Sequence, residues 1–182
     1  MNKIYLFLAD GFETVEALAP VDVMRRAGLD VTTVSIMGRR DVLSAQGVSV
    51  LADALLQECS LADADALILP GGGGGTENLS ACEPLRLEIA RANSEGKFIA
   101  AICAAPMVFG RMGILEGRKA TCYPGCEADL GESYTAAAIE KDGNMITACG
   151  PGVSFDFGFA IVEYFCGAEV VATLRSQMQF DR

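Results

Sequence analysis

The sequence predicts an α/β protein with a mostly parallel, doubly wound sheet. Short apolar runs closed by glycine or proline recur at 3–9 (KIYLFLA), 65–69 (DALIL) and 97–103 (KFIAAIC), the pattern of strands buried on both faces. Stretches of helix formers fall between them, giving strand and helix in alternation. The length of 182 residues suits one domain over 1–182, with no repeat, linker or low-complexity tract dividing it.

The run at 3–9 is the first strand, closed by Asp10-Gly11. Residues 13–27 (ETVEALAPVDVMRRA) read as a helix ended by Gly28, with a break or kink expected at Pro20. The β-branched segment 30–37 (DVTTVSIM) is the second strand and completes a right-handed β-α-β unit. Loose alternation over 41–51 suggests a hairpin or edge excursion. The strand at 65–69 runs into Pro70 and a bare glycine turn, 71–75. Pro84 suits the first turn of a helix over 84–93, the strand at 97–103 follows, and Pro106 opens a further helix. Beyond it, 119–122, 134–139 and 145–148 read as short strands, and 154–165 and 168–178 as terminal helices.

Composition narrows the function. With 14 basic against 24 acidic residues the net charge is −10, which repels nucleic acid and anionic lipid. No apolar run reaches the roughly 18 residues of a membrane helix, and no signal-peptide core follows the first strand, so the cytoplasm is the expected compartment. Seven cysteines without a C-x-x-C pair argue for reduced thiols. Cys122 and Cys126, separated by Tyr-Pro-Gly, do not have a zinc spacing, and no metal is expected. The chain has no histidine, so a Ser-His-Asp triad or a Cys-His dyad cannot come from its own residues.

In such sheets ligands bind outside the carboxyl ends of the strands, which points to 10–16, 70–75, 103–106 and 150–155. Among these Cys103 is the strong nucleophile, at a sharp strand-to-helix turn with amides nearby; by position alone it reads equally as a small core hydrophobe. The glycines could aim N–H groups at an oxyanion, cradle a phosphate or simply turn, but no P-loop lysine follows them. Glu13 and Glu16 lie in a first helical turn, where acidic residues are common for dipole reasons alone.

The stretches 13–32 (ETVEALAPVDVMRRAGLDVT), 66–72 (ALILPGG), 99–106 (IAAICAAP) and 150–163 (GPGVSFDFGFAIVE) closely resemble the ThiJ/PfpI superfamily, in the branch of the parkinsonism-associated protein deglycase. The resemblance implies a flavodoxin-like sandwich of the class I glutamine amidotransferase-like kind and a homodimer. It implies that Cys103 is the reactive cysteine, that Glu16 hydrogen-bonds its sulfur, and that Gly71 and Gly72, with Ala104, offer backbone donors to an oxyanion. Glu13, Tyr123 and Pro151 are expected to line the pocket. Tyr123 stands where many relatives carry a histidine, Ala104 where the protease-like branch has one, and Gln46 where some have an arginine; peptidase activity is therefore not expected. The implied activity is cofactor-independent turnover of reactive dicarbonyls or of their adducts with proteins and small amines and thiols. The alternative is a redox sensor or chaperone that works through oxidation of Cys103.

Overall fold

The computed structural model describes residues 2–180. The chain runs β1 (Lys3–Leu8), α1 (Thr14–Arg26), β2 (Asp30–Ser35), β3 (Asp41–Leu43), β4 (Ser49–Leu51), β5 (Ala54–Leu55), β6 (Ala66–Leu69), α2 (Gly73–Ala81), α3 (Glu83–Ser94), β7 (Phe98–Ile102), α4 (Pro106–Arg111), β8 (Ile139–Asp142), β9 (Met145–Ala148), α5 (Ser154–Cys166) and α6 (Ala168–Gln177). Seven strands make one sheet in the order β5-β2-β1-β6-β7-β9-β8. All its pairings are parallel except that of the edge strand β8 with β9. The hairpin β3-β4 stands apart as its own two-stranded ribbon.

Alternation along β1 sends Ile4, Leu6 and Leu8 to one face and Phe7 to the other, and two cores follow. The first packs Val23 and Met24 of α1 against Phe157 and Ile161 of α5; the second packs Leu79, Leu85, Ile89 and Phe109 of α2, α3 and α4. Each fully buried Leu or Phe contributes roughly 1.5–3 kcal/mol of transfer free energy. The result is a helix-sheet-helix sandwich whose central strands β1, β6, β7 and β9 end side by side.

Three local expectations change. Helix α1 runs through Pro20 unbroken, although proline cannot donate to the Glu16 carbonyl, because Pro20 packs closely on α5. The glycine turn is partly helical: Gly73, Gly74 and Gly75 form the first turn of α2. The segments at 119–122 and 134–139 are not strands; they share one bridge, Ala120 to Tyr134, and β8 begins at Ile139. Two backbone bonds, from the Ala120 N–H to the Ser133 carbonyl at 2.8 Å and from the Thr135 N–H to the Ala120 carbonyl at 2.9 Å, and side chains hold that region, with the Thr121 N–H on Thr147 Oγ1 at 2.9 Å and the Lys119 N–H on Asp142 Oδ2 at 2.7 Å. Among the described residues no helix is long and apolar enough to cross a membrane.

Candidate active site

Strand β7 is buried throughout, and the chain must turn at once to enter α4. Cys103 makes that turn with φ +65°, a left-handed conformation that costs an ordinary residue about 1–2 kcal/mol. Neighbours on both sides hold it there. Its N–H donates to the Ala148 carbonyl at 2.8 Å, and its carbonyl accepts from the Tyr123 N–H at 2.8 Å. The side chain is 9% exposed.

Glu16 reaches the same point from α1 and is completely buried. Its Oε2 accepts the Gly71 N–H at 3.0 Å, while Oε1 has no hydrogen-bond partner. The thiol lies close enough to perturb the carboxyl without giving Oε1 a well-aligned hydrogen bond. Burial pushes the Glu16 carboxyl up to about 7, with the Glu13 charge adding to the effect; the thiol and the Gly71 N–H oppose it. Burial, then the nearby Glu16 carboxyl, push the Cys103 thiol up to about 12, against the Gly72 and Ala104 N–H groups that favour thiolate. An ionised Glu16 and a thiolate therefore exclude each other, and the two groups compete for one proton. A carboxyl with affinity near neutral pH is suited both to donate and to accept it.

The glycines have separate tasks. A Cβ at Gly71 would lie 2.5 Å from Glu16 Oε2 and 2.6 Å from the Cys103 Cβ, so this backbone passes close to both side chains. Contrary to the expectation for Gly71, its N–H is spent on Glu16 and does not offer itself to an oxyanion; Gly72 and Ala104 are the amides that face the sulfur. Gly72 has φ +90°, and a Cβ there would lie 2.3 Å from the Gly11 carbonyl oxygen.

The outer residues are less closely engaged. Glu13 is the N-cap of α1, half-buried, with its N–H on the Gly71 carbonyl at 3.0 Å. Tyr123 joins the site through its backbone, while its ring is 47% exposed and lies against Gly150. Pro151 is exposed at the start of a short 3-10 turn after β9. Gln46, noted in the sequence only as standing where some relatives have an arginine, reaches Thr14 and Glu13 from the β3-β4 loop, contacts that sequence reasoning did not foresee. Sequence reasoning missed the Ala148 carbonyl too, although adjacent β7 and β9 ends would have suggested it. Cavities of about 440 Å³, between β8, α5 and α6, and about 410 Å³, beside Cys59 and Cys82, open elsewhere. Among the described residues no cluster of three or more His, Cys, Asp or Glu side chains could hold a metal ion.

The model of the DJ-1/PfpI family matches residues 2–164. Protein DJ-1 homolog B of Arabidopsis thaliana is 39% identical over 92% of this chain, which spans only 39% of that longer protein. The Parkinson disease protein 7 homolog of Danio rerio is 37% identical over 97% of this chain and 96% of its own length. A protein named as a deglycase from Pyrococcus abyssi is 34% identical over 82% of this chain and 91% of its own. Among solved structures, oxidized DJ-1 of Toxoplasma gondii superposes with TM-score 0.95 at 28% identity over all of both chains. A cysteine-to-alanine mutant of a DJ-1 superfamily protein from Salmonella typhimurium gives 0.93 at 34% identity over 98% of each chain.

Proposed function

The chain belongs to the DJ-1/PfpI family, and from that premise we propose a cytosolic, homodimeric, cofactor-independent cysteine enzyme of glyoxalase or deglycase type. Its substrates are dicarbonyls such as methylglyoxal or their early adducts with protein and small-molecule amines and thiols. The deglycase name of a relative supports the reaction class. The observation that carries the reading is the Cys103–Glu16 pair, two buried groups in competition for one proton beside the Gly72 and Ala104 amides.

The Cys103 sulfur adds to the aldehyde carbon, and the oxygen takes a proton to give a hemithioacetal held by the Gly72 and Ala104 N–H groups. The Glu16 carboxylate removes the hydrogen from that carbon and returns a proton to the neighbouring carbonyl carbon, through an enediol, leaving a lactoyl thioester. Water cleaves the thioester, lactate leaves and the thiol is restored. The net change is isomerisation plus one water, with no oxidant or reductant consumed.

Lactate formed from methylglyoxal in amine-free buffer tests the reading. Wild type is expected to turn over many times, Cys103→Ser not at all, and Glu16→Gln to fall by about 10²–10⁴-fold. Full turnover by Cys103→Ser would sink the assignment. Loss of methylglyoxal without lactate would transfer the weight to the redox-sensor or chaperone reading. That second reading draws on the oxidized state of one solved relative and on amides able to hold sulfinate oxygens.

A further inference from the structure

Helix α1 starts at Thr14 with Glu13 as its N-cap, yet the Glu13 side chain does not cap it. Gln46 from the β3-β4 loop does so from outside. Its Oε1 accepts the Thr14 N–H at 3.1 Å and lies 2.8 Å from the Thr14 hydroxyl, while its Nε2 donates to Glu13 Oε2. The hairpin is itself fastened to the turn before the helix. The Gly11 N–H donates to the Leu43 carbonyl at 2.8 Å and the Ala45 N–H to the Phe12 carbonyl at 2.8 Å; Ser44 Oγ lies 2.8 Å from the Thr14 hydroxyl. Glu13 in turn stands one helical turn before Glu16.

We propose that Gln46 is a positioning residue for the Cys103 site: its side-chain amide caps α1 and tethers the Glu13 carboxylate, which fixes that charge one helical turn from Glu16. This rests on the reading of Cys103 and Glu16 as the reacting pair. The groups that face Glu16 are the Cys103 thiol from the β7-α4 turn, the Gly71 N–H from the β6-α2 loop and Glu13 from its own helix. The Glu13 charge favours the neutral form of Glu16. Released from Gln46, the Glu13 carboxylate relaxes toward solvent, its charge is screened, and Glu16 gives up its proton at lower pH.

The test is the rate at which iodoacetamide alkylates Cys103 between pH 5 and 9, followed by mass analysis of the peptide that carries it. It is run on wild type, Gln46→Leu, Glu13→Gln and the double variant, with a melting temperature for each. The inflection set by Glu16 should move to lower pH in both single variants, by roughly half a pH unit, and no further in the double variant than in Glu13→Gln. A Gln46→Leu profile that keeps its inflection, with at most a lower melting temperature, reduces Gln46 to a structural cap and overturns the proposal. So does an inflection that Glu13→Gln leaves in place, or a wild-type profile without one. The measurement does not depend on methylglyoxal turnover, so the proposed reaction can fail while this inference stands.

Discussion

Burial removes water from the Glu16 carboxyl and leaves Oε1 without a partner, so the folded chain holds a proton there that the unfolded chain gives up. With the carboxyl raised from 4.5 to about 7, folded and unfolded chains are both protonated below pH 4.5. Between there and about 7 the folded chain binds more protons, so stability falls as pH rises, and the loss levels off above that range. The full effect is on the order of 3 kcal/mol. Urea denaturation of wild type and Glu16→Gln at pH 4.5 and 8 should show the variant gaining on wild type by about 1–3 kcal/mol at the higher pH. A difference independent of pH would mean that Glu16 is ionised in the folded chain. Cys103 was legible in the sequence as a nucleophile at a strand end, though the core-cysteine reading stayed open. Glu16 was legible only through resemblance, because an acidic residue in a first helical turn has an ordinary explanation. The direction of the Gly71 N–H was not legible, since spacing fixes where a donor lies but not which acceptor it meets.

Helices α1 and α5 pack closely where Gly158 meets Pro20, and a Cβ at Gly158 would lie 2.9 Å from the Pro20 Cα and 3.1 Å from the Val23 Cβ. Glycine is a poor helix former, so its place in the middle of α5 reflects this contact. Gly158→Ala should therefore lower the urea midpoint, at a cost of about 1–3 kcal/mol, despite its better helix propensity. Gly73→Ala is the contrast: it too is helical, but open space surrounds its Cβ position, and it should be neutral or stabilising by up to about 1 kcal/mol. Equal effects at the two positions would remove close packing as the reason for Gly158. The same contact explains why α1 passes Pro20, which local propensity could not foresee. The central strands were legible because continuous apolar runs have one reading in a parallel sheet. The stretch from 119 to 139 was not: a single bridge and the Thr121, Thr147 and Asp142 side chains anchor it, and these leave no periodic trace.

Across the molecule, 24 acidic and 14 basic residues leave a net charge of −10, and exposed apolar side chains such as Leu43 and Leu51 sit on the β3-β4 hairpin. For the proposed homodimer, light scattering should return about twice the 19.1 kDa chain mass; a monomer mass at micromolar concentration would reject it. The layout of the site also has a consequence for how the protein is made. Glu16 follows β1, Gly71 follows β6, Cys103 follows β7, and the carbonyl that holds Cys103 belongs to Ala148 at the end of β9. Such non-local pairings form late, because loop closure precedes the contacts that offset it. A nascent chain that has not yet delivered β9 to the sheet lacks one of the two bonds on the Cys103 backbone. The left-handed turn at Cys103 is therefore held from both sides only once the last central strand has been synthesised.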